Sequence, residues 1–235
     1  QTQIRVLAKQ PDDSLQEQST IVVLENGAMN YTYLRGMYLH DEQLVVVGEG
    51  YESNDYTANN SIWWGGQSQF MVELFAMNNT AEPVLTNQIT VDGYLISSKR
   101  IENQLLLVSS YMPSIPTFNG LGNTDAQRLA GYNTIQATPI NDLIPSVTVS
   151  TNPESVSASQ PLFAPQDCYI PENATALDST RGMIILTMID LDDPTQRSVK
   201  CVNGQYDSSR TPRCWSSSTG PEEERCQSRT RAMSS

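Results

Sequence analysis

Positive charge is scarce in this sequence. Lys and Arg number 14 against 26 Asp and Glu, a net charge of −12 over 235 residues. Neutralising phosphates takes clustered cations, so the shortage argues against a nucleic-acid partner. Histidine is scarcer still. His40 is the one example, and any Ser-His-Asp or Cys-His catalysis would have to run through it. It stands beside Asp41 and Glu42 in a polar turn, where a solvated turn residue is expected and a general base is the alternative. One His and four Cys leave no zinc-ligand spacing, and four Cys are too few for a disulfide framework. No apolar run approaches the roughly 18 residues of a membrane span. The longest, such as Leu105-Leu106-Leu107-Val108, are of strand length. No secretory leader opens the chain, since Gln1 begins a polar segment, as expected of a mature, trimmed or truncated chain. No residue cluster amounts to a catalytic or cofactor site, and none is expected.

Strand signals dominate what remains. Short apolar or β-branched runs at 4–8 and 21–24 flank an acidic stretch around Asp12, Asp13 and Glu17. From Tyr31 the signal strengthens: 33–39, a polar turn at 40–43, and the unbroken run 44–47, which suits a strand buried on both faces. Residues 50–69 form a loop rich in Asn, Ser, Gly and Tyr. Strand character resumes at 70–77, 84–91, 94–101 and 105–111. Residues 112–180 break the rhythm with Pro, Ser, Thr and Asn. They hold only short helix-like patches, at 125–130 and 141–144, so they read as an insertion packed over the domain or partly mobile. Strands return at 183–191 and 198–202.

Two separated stretches match. The first holds Leu74-Phe75-Ala76-Met77, Pro83, Val91-Asp92-Gly93-Tyr94 and Ser97-Ser98-Lys99. The second holds Leu186-Thr187-Met188-Ile189, Pro194, Val202-Asn203-Gly204, Tyr206 and Ser208-Ser209-Arg210. The Asp-Gly and Asn-Gly pairs are expected to supply the positive φ of a tight reversal between antiparallel strands. Repeated strand units that bury their faces on one another point to propeller-like blades of four strands. One blade would hold 33–39, 44–47, 70–77 and 84–91; the next would hold 94–101, 105–110, 183–191 and 198–202. Two coincidentally similar hairpins are the alternative.

Within 71–111 the succession Pro83, Leu85, Val91-Asp92-Gly93-Tyr94, Ser98-Lys99, Ile101, Glu102-Asn103 and 105–108 resembles secreted bacterial and archaeal proteins whose β-propeller is distantly related to WD repeats. Lys99 stands where that family has Arg, which returns at Arg210, and Asn141-Asp142-Leu143-Ile144-Pro145 resembles the helix-to-Pro element of the family's insertion. The resemblance implies an all-β fold of antiparallel blades and an exported location, and it carries over no catalytic residue. A closed propeller needs about four blades. This chain supplies two, or three with residues 1–30 counted as part of a preceding blade, so an incomplete propeller with a long irregular insertion is expected. After Arg210 the repeat fails: residues 211–235 are Ser- and Arg-rich and are expected to be disordered and foreign to the blades.

Several residues are candidates for chemistry or binding. Cys168 and Cys201 flank the strand 183–191 and are the candidate disulfide, with two free thiols as the alternative. Cys214 and Cys226 could pair with each other in the tail. Asp190, Asp192 and Asp193 alternate like part of a calcium loop but lack its Gly and later Glu, so a strand-end turn is the better reading; Asp12 and Asp13 are weaker. Trp63 and Trp64, with Tyr51 and Tyr56, make an aromatic loop that could stack on a sugar or peptide or could cap the core. Sequons at Asn30, Asn59, Asn78 and Asn173, and solubility resting on uncharged polar residues, fit export to the periplasm, cell surface or medium. The expected role is an exported blade module that binds or scaffolds an unknown protein or carbohydrate. The alternatives are a cell-envelope hydrolase using acidic residues on blade loops, and a structural fragment that self-associates through open sheet edges.

Overall fold

A computed structural model describes residues 2–24, 31–51, 68–113, 115, 122–152, 155–156, 158–170, 172 and 182–204. The chain divides into two units, Gln1–Gln205 and Tyr206–Ser235; every described residue belongs to the first. The tail expected to be foreign to the blades, with Cys214 and Cys226, lies outside the described residues.

The first unit is built of three sheets whose strands are antiparallel but for one short parallel pair. β1 (Thr2–Lys9) and β2 (Leu15–Val23) form a hairpin. β3 (Tyr31–His40), β4 (Gln43–Tyr51), β5 (Ser68–Ala76) and β6 (Val84–Asp92) follow one another across a second sheet. β7 (Tyr94–Ile101) and β8 (Gln104–Tyr111) begin the third. The expected blade members therefore sit where the repeat placed them.

Residues 112–180 hold more structure than the sequence suggested. α1 (Asp125–Ala137) starts where the patch was expected, behind a capping box of Thr124 and Gln127, and runs on past its expected end at Ala130. β9 (Ser146–Asn152) pairs with β6 at the outer edge of the second sheet, and the short β10 (Ser155–Val156) and β11 (Gln160–Pro161) pair with β9. β12 (Cys168–Tyr169) then runs parallel to β14 (Arg197–Asn203) on the third sheet, whose β13 (Met183–Asp190) lies between β8 and β14. The insertion thus extends both blades at their outer edges and leaves β3 and β7 as the opposite edges.

Burial explains the stacking. Ile21, Val23 and Leu24 pack on Leu44, Val46, Met71 and Phe75, so the β1–β2 hairpin covers one face of the second sheet. The other face, with Val45, Val47, Phe70, Val72 and Leu74, packs against Leu105, Leu107, Ile185 and Ile189 of the third. Ile144, Leu162 and Phe163 of the insertion close that core. Side chains of successive strand residues point to opposite faces, so a run such as Leu44-Val45-Val46-Val47 serves both cores.

Gly93 plays a different part from the one expected. β6 and β7 do not pair, so Asp92-Gly93 carries the chain from one sheet to the next rather than closing a hairpin. Its φ of +125° and the 2.9 Å that would separate an added Cβ from the Ser110 carbonyl both require glycine. Gly204 has no positive φ, and an added Cβ there would make an ordinary 3.9 Å contact with Ile184 Cγ1, so the two matched glycines are not conformationally equivalent. Asp92 also accepts from Gln69 Nε2 (2.7 Å) and from the backbone N–H (3.1 Å) and hydroxyl of Ser146, which anchors the start of β9.

Candidate functional site

The first strands of the two blades border a groove. β3 and β7 each carry a β-bulge, with Arg35 as the extra residue between Leu34 and Gly36, and Ile96 between Leu95 and Ser97. A bulge bends its strand and re-aims side chains. Here the matched bulges open a cavity of about 300 Å³ lined by Leu34, Arg35, Tyr38 and residues 95–98.

Arg35 organises this groove. Its Nε lies 3.4 Å from Glu49 Oε2, its Nη2 donates to the Leu95 carbonyl (3.3 Å), and its guanidinium sits 5.8 Å from the centre of the Tyr94 ring. Glu49 is 1% exposed, and a carboxylate so enclosed needs a counter-charge. Arg35 supplies it while keeping a face toward the groove. Beside it the Tyr38 and Ser98 hydroxyls share a hydrogen bond of 2.8 Å across the two blades. Gly36 permits this approach, since a Cβ there would crowd both hydroxyls at 3.0–3.1 Å. The groove thus offers a fixed cation and two hydroxyls on a chiefly polar surface, with no carboxylate among its lining residues.

A second cluster gathers three turns at one end of the blades. The β3–β4 and β7–β8 turns both place an acidic residue in the left-handed region, Asp41 (φ 49°) and Glu102 (φ 54°). His40 Nε2 lies 2.9 Å from Asp192 Oδ1, and Asn103 Nδ2 donates to Asp192 Oδ2 (3.0 Å). The His40 hydrogen bond, then that of Asn103, holds the Asp192 carboxyl below its ordinary range. Asp190 accepts from the Asp192 N–H, and Asp193 caps its own turn through Thr195. His40, Asp41 and Asp192 could converge on a cation, but both Asp192 oxygens already accept from neighbours. The cluster reads as a clasp between blade ends, and His40 in it has a fixed partner, unlike the solvated turn residue expected.

The other candidates sort as follows. Cys168 and Cys201 face each other on β12 and β14 and form a disulfide, with Cα atoms 4.3 Å apart. Asp12 and Asp13 serve the β1–β2 turn, through Ser14 and Lys9 respectively. Asn78 is exposed in the β5–β6 turn. Tyr51 ends β4. Trp63, Trp64 and Tyr56, and the sequons at Asn30, Asn59 and Asn173, lie outside the described residues. The groove escaped the sequence reading, although a signal exists: Tyr33-Leu34-Arg35-Gly36 and Tyr94-Leu95-Ile96-Ser97 share a Tyr-Leu-x-small pattern. Each is followed at the same spacing by a turn ending in Gln-Leu.

A family model described as a β-propeller domain matches residues 1–209. The chain belongs to the β-propeller domain family. No curated protein and no solved structure matches it. The antiparallel sheets accord with that family, and the insertion extends the two larger ones. The first strands of those two sheets border the groove, and their hairpin turns build the clasp. No helix among the described residues is long and apolar enough to cross a membrane.

Proposed function

We propose that the chain is an exported propeller module that binds an extended protein segment along the groove between β3 and β7. The observation that carries this reading is the pair of matched bulges at Arg35 and Ile96, which opens a preorganised cavity between two edge strands. Edge strands present backbone N–H and C=O groups that an incoming strand can use, while side-chain pockets supply selectivity. A fixed guanidinium beside two hydroxyls suits a segment that brings a carboxylate and polar side chains to the groove. The Cys168–Cys201 disulfide supports export, because such bonds persist in oxidising compartments.

Selection of peptides from a random displayed library tests the reading. Ligands should bind the 235-residue chain and lose at least about tenfold in affinity on Ser97→Arg, which fills the groove from an exposed position. Ligands that ignore Ser97→Arg but are lost on Trp63→Ala would move the site to the aromatic loop. Failure of peptides, with binding on a glycan array, would turn the reading toward carbohydrate.

A further inference from the structure

The pocket between β3 and β7 is closed along the strands and open at its side, where Ser97 is exposed. Arg35 Nη2 reaches the Leu95 carbonyl at one end, and the Tyr38 and Ser98 hydroxyls meet at the other. Three steps along β3 separate the two links, a distance of about 10 Å. An added Cβ on Gly36 would stand only 3.0 Å from Ser98 Oγ, so no chain passes the second link. The bulges at Arg35 and Ile96 interrupt both strands at this point. A strand added to either edge would lose its register on reaching them. A segment running straight through would leave backbone groups unpaired. One that ends here would not.

The groups left over in the pocket are donors. Glu49 and the Leu95 carbonyl take Arg35 Nε and Nη2, and Nη1 has no hydrogen bond among the described residues. Ser97 lines the pocket with its hydroxyl uncommitted among the same residues. Of Tyr38 and Ser98, one donates to the other and the acceptor keeps its own hydrogen. Donors gathered about a guanidinium match the two oxygens of a carboxylate. Glu49 already offsets the guanidinium charge, and the chain carries −12. The pocket therefore suits one negative charge rather than the nearly two of a phosphate group.

We propose that this pocket captures the C-terminal carboxylate of a protein segment, whose preceding residues lie along the open strand edges. The inference rests on the groove being the site of an extended segment. It adds that the segment must end there, with its last carboxylate on Arg35 and the neighbouring hydroxyls.

Random hexapeptides, tethered at their N-termini as free acids and as C-terminal amides, test this when probed with the full chain. Hits are remade in solution and measured by fluorescence anisotropy. Free acids should bind, and the matching amides should bind about 30-fold more weakly, the effect of losing a charge-assisted hydrogen bond. Two glycines added after the last residue should abolish binding, whereas two added before the first should leave it unchanged. Ser97→Trp fills the pocket from an exposed position without adding charge, and should abolish binding. Arg35→Gln alone would strand the buried Glu49, so the paired change Arg35→Gln, Glu49→Gln is used, with its unfolding midpoint measured alongside. It should erase the advantage of the free acid. Peptides lost on Ser97→Trp but bound equally as acid and amide overturn the inference and leave the groove a site for internal segments. If such peptides lose affinity when an internal Asp or Glu is replaced, Arg35 serves a side-chain carboxylate instead. Free acids that ignore Ser97→Trp place the terminus elsewhere and overturn it too. An absence of binding in both forms overturns it together with the reading of the groove.

Discussion

Gly48→Ala is expected to loosen the β1–β2 hairpin from the blade it covers, and the geometry sets the size of the effect. A Cβ at Gly48 would stand 2.8 Å from Leu24 Cγ and nearer still to both Leu24 methyls. Leu24 has little room to yield: it is 2% exposed and holds a left-handed φ of 60°. Its N–H donates 2.8 Å to Oε2 of the buried Glu73, whose other oxygen accepts from Gln88 Nε2 (2.8 Å). With the backbone pinned, the side chain must leave its rotamer or push into Val46 and Met71, and overpacking of this kind costs about 1–3 kcal/mol. Leu24→Ala alone should cost about 2–5 kcal/mol through lost burial and the cavity left behind. In the double variant the new methyl enters space that Leu24 has vacated, so the two losses should fall short of additivity by about 1–2 kcal/mol. Urea titration of the four proteins, followed by far-ultraviolet dichroism, measures the cycle. A Gly48→Ala variant as stable as wild type, or strictly additive losses, would refute the packing described here.

Thr187 is 1% exposed in the inter-blade core and its hydroxyl has no hydrogen-bond partner, so Thr187→Val should stabilise by about 1 kcal/mol and raise the thermal midpoint; a lower midpoint would show that the hydroxyl is bonded. Reducing Cys168–Cys201 opens a link between residues 33 apart, and loop entropy puts the loss at about 3–4 kcal/mol, readable as a shift of the urea midpoint with and without reductant. The depressed Asp192 carboxyl means that the unfolded chain takes up its proton first as acidity rises, so its stabilising contribution is complete above the ordinary carboxylate range. That contribution is lost as pH falls through the depressed value. Carbon-13 titration of Asp192 should show the depression, and His40→Ala should largely remove it.

The blade strands were legible because their residues obey short-range rules. Runs such as Leu44-Val45-Val46-Val47, bounded by polar two-residue turns, specify strands buried on both faces without reference to distant sequence. The insertion was read poorly for a compositional reason. Its Pro and Asn hid the alternating β-branched residues of 146–151, whose strand character depends on an exposed edge of β6 to pair with. The start of α1 at Asp125 could be read from the sequence, where Thr124 and Gln127 form its capping box. The clasp could not, since His40 and Asp192 are 152 residues apart and only the stacking of two blades brings them together. Gly93 and Gly204 show the limit of matched motifs: the same dipeptide-like signal marks one strained crossing and one relaxed strand end.

The two large sheets share one core. Native-state hydrogen exchange measures this most directly. If Val45, Val47, Val72 and Leu74 are sealed by Leu105, Leu107 and Ile185, as the packing has it, amides of β4, β5, β8 and β13 should exchange through a single opening whose free energy equals that of global unfolding. Thr187→Val should then raise the protection of β4 and β5 as much as that of β13. Protection of β8 and β13 that rises alone, with β4 and β5 unmoved, would mean the sheets fold independently, and would contradict both the shared core and the groove built upon it.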